Sequence, residues 1–200
     1  MDDHIGTMVK PNNRDKILSE GLRVVHQRGF TGASVRDIVQ AAGVPQGSFT
    51  NHFASKEAFG LEILDIYFQR GCAVMAETLR NDALPPLARL GAYIDSTRTR
   101  MQQDGMRNGC LFGNLSAEAG EHSDAMRARL GEIFAEVRAS IAYCLKAAIA
   151  AGELPQDFPA EDIAGFTVSS LQGAILLGKT ERSPAPIERF KKILFATILR

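Results

Sequence analysis

The sequence predicts an all-α protein of about nine helices, with an N-terminal three-helix unit followed by a larger helical body. Three observations predict this. Apolar residues recur three and four apart through most of the 200 residues. Asn, Ser or Pro precedes most of these runs and Gly follows several, as caps and stops do. No convincing stretch alternates apolar and polar residues over strand length.

The first eleven residues are polar, contain Gly and Pro, and show no period, so a disordered tail is expected over 1–11. From Asn12 or Asn13 the pattern becomes helical. Ile17, Leu18, Gly21, Leu22 and Val25 share one face, and Gly29 ends the run. Ser34 is a suitable N-cap for a short second helix with Val35, Ile38, Val39 and Ala42 as its apolar stripe. Gly43 stops it. Pro45 fits the first turn of a third helix, where a missing N–H costs nothing, and that helix should end near Phe53. Ser55 can cap a long fourth helix reaching about residue 80, with Phe59, Ile63, Ile66 and Tyr67 at helical spacing.

Leu84-Pro85-Pro86 is a break. Leu87, Leu90, Tyr93, Ile94, Thr97 and Met101 mark a fifth helix ending before Gly105, and a Gly-rich stretch from Asn108 to Gly120 holds a short sixth. Ser123 can cap a long seventh helix that Gly152 stops. Residues 154–159 form a loop, and two more helices span 160–179 and 185–199. The expected division is a tail (1–11), a three-helix domain (12–54) and a helical body (55–200).

Composition narrows the function. The chain is 45% hydrophobic and 23% charged, with zero formal net charge, which is ordinary globular composition. The charge is uneven: Lys10 to Lys56 holds seven basic residues against three acidic ones, a weak pointer to a polyanion. No run is apolar enough to span a membrane and no leader opens the chain, so a soluble cytoplasmic protein is expected. Cys72, Cys110 and Cys144 are odd in number and far apart, which argues against a disulfide framework or a zinc site, and no metal or cofactor is expected. The four histidines (4, 26, 52, 122) are dispersed. No nucleophile elbow, zinc-protease motif or phosphate loop is present, so an α-helical enzyme is the remote reading.

Three short helices, the last two joined through Ala42-Gly43-Val44, have the layout of a helix-turn-helix. In the third, Phe49 and Phe53 are four apart and can dock on the stripe of the second. Gln46, Gly47, Thr50 and Asn51 fall on the opposite face. They are short, uncharged or amide-bearing, and amides can pair with adenine edges. Ser48, His52 and Lys56 sit where phosphate could be met, and Thr31 and Ser34 offer hydroxyls to another phosphate. A small packing unit with a polar outer face would show the same spacing.

Residues 14–60 resemble the DNA-binding domain of the TetR family of bacterial transcriptional regulators. The resemblance is carried by Arg14, Ile17, Leu18, Ala33-Ser34-Val35-Arg36-Asp37-Ile38, Ala41-Ala42-Gly43-Val44, Gly47-Ser48-Phe49, His52-Phe53 and Ser55-Lys56-Glu57-Ala58. It implies a homodimer on a palindromic double-stranded operator, with contacts from Ser34, Arg36, Gln46, Gly47, Ser48, Asn51, His52 and Lys56. Two positions depart from the family pattern. Thr50 stands where a Tyr is common, and Gln46 where a Lys is frequent.

The resemblance also implies that the body binds an inducer and dimerises. Small residues Ser170, Gly173 and Ala174, with Leu177, Ile187, Phe190, Leu194 and Ile198, read as an interface between copies; they could equally close the subunit's own core. Asn108 to Glu118 resembles a Gly-Cys-Leu-x-Gly-Asn stretch of one branch of these regulators. It can be packing only, a pocket wall anchored by Asn114, or a thiol sensor through Cys110. Further pocket candidates are Tyr67, Tyr93, Thr97, Met101, Phe112, Phe134, Arg138 and Phe166. The expected function is a repressor released from DNA by a small molecule. The alternative is a dimeric regulator that senses oxidants or electrophiles through Cys110.

Overall fold

The computed structural model describes residues 12–119 and 123–200, and the tail expected over 1–11 lies outside them. Among the described residues it contains nine α-helices and no strand. They are α1 (Asn13–Arg28), α2 (Val35–Ala41), α3 (Gly47–His52), α4 (Lys56–Glu77), α5 (Pro86–Gln103), α6 (Leu111–Ala119), α7 (Asp124–Ala150), α8 (Ala160–Glu181) and α9 (Ala185–Ile193). A π-helical turn, Leu194–Ile198, continues α9. The residues pack as two compact units that divide between Ile63 and Leu64, inside α4.

The caps read from sequence close the helices. Asn12 accepts from the Asp15 N–H, Ser123 from Met126 and Ser55 from Ala58. Gly29, Gly43 and Gly152 take positive φ after α1, α2 and α7, which a Cβ would disfavour. Several boundaries move. Pro45 stands outside α3, which starts at Gly47 after a turn closed by Ser48 N–H donating to the Pro45 carbonyl. Helix α4 ends at Glu77, and a turn carries the chain to Arg80.

In the first unit α1, α2 and α3 close around the start of α4. Ile17, Ala33, Ile38, Phe59 and Ile63 are fully buried. Phe49 and Phe53 of α3 meet Phe59 with ring centroids 5.5 and 5.3 Å away. Each such aromatic pair contributes about 0.5–1.5 kcal/mol beyond burial, which fixes a six-residue helix too short to persist alone. The guanidinium of Arg14 covers Phe53 and pairs with Glu62.

In the second unit α7 is the central helix, packed by α5, α6 and α8, with α9 against α8 and α5. Leu90, Ile94, Leu111, Leu115, Ile133, Ile141 and Leu145 are fully buried there. The Pro85-Pro86 break is held polar-to-polar. Arg89 is 5% exposed and bonds Asp82 and the Leu84 carbonyl, while Tyr143 donates to Asp82. Among the described residues no helix is long and apolar enough to cross a membrane, and no group of His, Cys, Asp or Glu could hold a metal ion.

The interface expected on α8 and α9 needs correction. Ala174, Ile187 and Leu194 are buried within the subunit, so they close its own core. The apolar side chains left exposed are Phe166, Leu176, Leu177 and Ile193. Gly173 is exposed, and Ser170, Phe190 and Ile198 are partly buried.

Candidate nucleic-acid interface and enclosed cavity

Helix α3 presents one wet face. Gln46, Gly47, Thr50, Asn51 and His52 are all exposed, opposite the buried Phe49 and Phe53. Thr50 is pinned, because its hydroxyl donates to the Gly47 carbonyl at 3.1 Å. Nothing lies near the position of a Cβ at Gly47, so its surface is open backbone. Ser48 does not belong to this face: it is 9% exposed.

The flanking positions are partly committed. At the start of α2, Ser34 and Asp37 form a capping box, with the Ser34 oxygen accepting from the Asp37 N–H and the Asp37 carboxylate accepting from the Ser34 N–H and hydroxyl. The Ser34 hydroxyl proton is therefore spent on the cap. The Ser34 hydrogen bonds, with Arg28 behind them at 2.9 Å, hold the Asp37 carboxyl below the usual carboxylate range. Lys56 donates to the Phe30 carbonyl and lies 4.7 Å over the Phe30 ring. Thr31 and Arg36 are exposed.

The second unit holds a partly open cavity of about 50 Å³ between α4, α5, α6, α7 and α8. That is room for a few waters. Six of the expected pocket residues reach it: Tyr67, Tyr93, Thr97, Cys110, Phe112 and Phe134. The ring of Phe112 organises the wall, edge-on to Tyr67 at 4.9 Å and to Phe134 at 6.2 Å. Burial first, and then the neighbouring Cys110, pushes the Tyr67 and Tyr93 hydroxyls up to about 12. Both stay protonated at neutral pH and can donate. The Arg100 guanidinium, 5.6 Å over the Tyr67 ring, also borders the cavity, and among the described residues no carboxylate does.

Four expected pocket residues lie elsewhere. Met101 is buried core beside Gly178. Phe166 is on the surface. Arg138 lines a groove of about 430 Å³ between α7 and α8. Asn114 lines another of about 300 Å³ between α6 and α8. Its amide donates to the Asn108 carbonyl at 2.8 Å and accepts from Lys179 at 3.4 Å, so the chain itself supplies the partners that a ligand was expected to provide.

Phe68, Arg100 and Gln172 were missed as lining residues. Arg100 was findable, being three residues after Thr97 and seven after Tyr93 on the same helical face. Gln172 was not, because its position depends on how α8 rotates against α6 and α7.

Comparison with known proteins finds a match for each of the two units. Residues 17–63 match the description "bacterial regulatory proteins, tetR family", and residues 86–194 match "tetracyclin repressor-like, C-terminal domain". The chain is 35% identical to the HTH-type transcriptional repressor DhaR of Mycobacterium sp. (strain GP1), across 96% of this chain and 95% of that protein. Among solved structures it is similar to regulatory protein TetR from Rhodobacter sphaeroides, with TM-score 0.84 and 32% identity over 88% of this chain and 94% of that one. It is also similar to the reduced form of Escherichia coli NemR, with TM-score 0.84 and 30% identity over 93% of this chain and 96% of that one.

Proposed function

This chain belongs to the TetR family of bacterial regulatory proteins, and on that premise we propose that it is a homodimeric repressor released from its operator by a small molecule held in the α4–α8 cavity. The DNA-binding helix-turn-helix is α2 and α3. Gln46, Gly47, Thr50 and Asn51 face the major groove, and Thr31, Arg36, His52 and Lys56 meet phosphates. Thr50 turns its hydroxyl proton back to Gly47, so at this position it offers a phosphate no donor of Tyr-like reach. Two reading helices must sit about 34–36 Å apart to enter adjacent major grooves, which requires a second copy. The exposed face of α8, with Phe166, Leu176 and Leu177, is the surface that copy covers.

The observation that carries the proposal is the cavity wall. Tyr67 and Phe68 of α4 line it, and α4 is the helix that starts at Lys56 directly after α3. A ligand larger than a few waters must displace that wall. It acts through its preference for the displaced state, in which DNA is bound less well. A lining of hydroxyls, a thiol, an amide and one guanidinium suits a compact ligand that carries hydrogen-bond acceptors.

Selecting an operator from random DNA and measuring its release by a panel of small organic acids, aldehydes and quinones tests this. At least one compound is expected to release wild-type protein, and Thr97→Phe, which fills the cavity, is expected to lose that response. Equal release from the filled variant would overturn the cavity as the effector site. A second reading is favoured by one observation: Cys110 lines the cavity, so a reactive ligand held there lies beside its thiol. If electrophiles act there, Cys110→Ser abolishes release by quinones and spares release by organic acids.

A further inference from the structure

Gln172 stands at a junction. It is the only side chain, among the described residues, that borders the inner cavity, the α6–α8 groove and the α7–α8 groove. Its amide is held from two sides. The Nε2 donates to the Cys110 sulfur at 3.5 Å, and Oε1 lies where a Cβ on Gly113 would come within 3.0 Å. A side chain at residue 113 would therefore crowd the amide, which would have to give by a few tenths of an ångström. Behind it Cys110 is 6% exposed although a groove of about 300 Å³ reaches its other side. Gln172 itself is only partly buried, so it has room to leave on the solvent side.

We propose that Gln172 is the gate of the cavity: its carboxamide, latched on the Cys110 thiol and fitted against Gly113, separates the cavity from the surface grooves, and small uncharged or acceptor-bearing molecules are admitted when it swings out. The latch selects by chemistry as well as by size. A molecule with a carbonyl or carboxylate oxygen can accept the amide hydrogen that Cys110 gives up, so opening costs such a molecule less than it costs a hydrocarbon. A sulfur acceptor makes a weak hydrogen bond, which suits a latch that must open often. This inference rests on the cavity being the effector site, but its test does not use DNA release.

The test is alkylation of the thiols by iodoacetamide, followed by mass spectrometry of peptides, in protein carrying Cys72→Ser. Cys144 serves as the internal control, because it is buried on α7, donates to the Pro86 carbonyl and borders no cavity described above. Gln172→Ala is expected to speed alkylation of Cys110 severalfold, up to the roughly fivefold that loss of one typical hydrogen bond makes in an opening equilibrium, with Cys144 unchanged. Gly113→Ala, which crowds the amide from its seat, is expected to act in the same direction. An unchanged Cys110 rate in Gln172→Ala overturns the gate. A parallel rise at Cys144 also overturns it, because that reports general loosening. If the gate holds while the filled variant Thr97→Phe still responds to effector, the gate stands and the effector-site reading falls.

Discussion

The ring of Phe59 rests on the bare backbone of Gly21: a Cβ at residue 21 would fall 2.5 Å from Phe59 Cζ and 2.9 Å from Ile38 Cγ2. Three helices of the DNA-binding unit meet at this point. Gly inside a helix costs about 1 kcal/mol against Ala, so the residue is kept here for space and not for helicity.

Gly21→Ala should therefore destabilise the protein although it improves helix propensity. Overpacking a dense core costs about 1–3 kcal/mol. Phe59 is fully buried between Phe49 and Phe53, so its ring cannot yield. The crowding outweighs the propensity gain, and urea unfolding should show a net loss of about 1 kcal/mol. Adding Phe59→Leu should recover part of it, and a strictly additive double mutant would show that the two residues do not compete for this space.

The capping box at α2 predicts an acid sensitivity. Ser34→Ala should cost about 1 kcal/mol, the usual worth of such a cap. Asp37 has a lowered value in the folded state, so its contribution is present in full above its ordinary value of 3.8 and is lost as pH falls through the lowered folded value. Asp37→Asn should flatten the stability profile in that acidic window and lower the neutral-to-alkaline limb evenly, without changing its slope. A variant profile parallel to wild type throughout would mean that the carboxylate is not engaged by the cap.

Local signals were legible in the sequence, and rotations between helices were not. Asn12, Ser34, Ser55 and Ser123 mark helix starts because a cap acts within three residues. The polar and aromatic faces of α3 follow from a four-residue spacing, yet Ser48, which looked like part of its margin, packs inside. Ile187 and Leu194 look like a seam between copies from periodicity alone. They prove to be core, since an apolar stripe states that a face is buried and not against what. Gln172 and Asn114 show the same limit, because which groove an amide meets depends on how α8 lies on α6.

Asn51→Ala and Gln46→Ala should each weaken binding to the selected operator without altering the subunit's unfolding curve. A lost bidentate base contact costs about 1–3 kcal/mol, or roughly 5- to 150-fold in Kd. Ser48→Ala should change affinity little, because its side chain packs inside. Binding should also fall steeply between 50 and 200 mM salt, as released counterions require. A flat salt response, or Ser48→Ala as harmful as Asn51→Ala, would contradict the face assigned to α3.

Leu177→Glu should convert the dimer to monomer in light scattering while the monomer keeps its helical content. Leu177 is 49% exposed and Leu176 is 62% exposed, so a charge at either position costs the isolated subunit little. Ile187→Glu should instead unfold the subunit, since Ile187 is 1% exposed. An unchanged dimer mass for Leu177→Glu would move the interface away from this face of α8.

Tyr67 and Tyr93 predict the alkaline limit of the fold. The acid form of tyrosine is neutral, and burial disfavours the anion, which raises both hydroxyls to about 12 from the ordinary 10. Between those values the folded protein keeps protons that the unfolded chain has lost. Their contribution is therefore complete below about pH 10 and drains away as pH rises toward 12, by up to about 2–3 kcal/mol per tyrosine. Tyr93→Phe should remove its share, so that stability falls less steeply over this window in chemical denaturation series. An effector whose oxygen accepts from these hydroxyls should raise their values further and extend protection to higher pH. If Tyr67→Phe and Tyr93→Phe leave the alkaline slope unchanged, neither hydroxyl is shielded from solvent in the cavity wall.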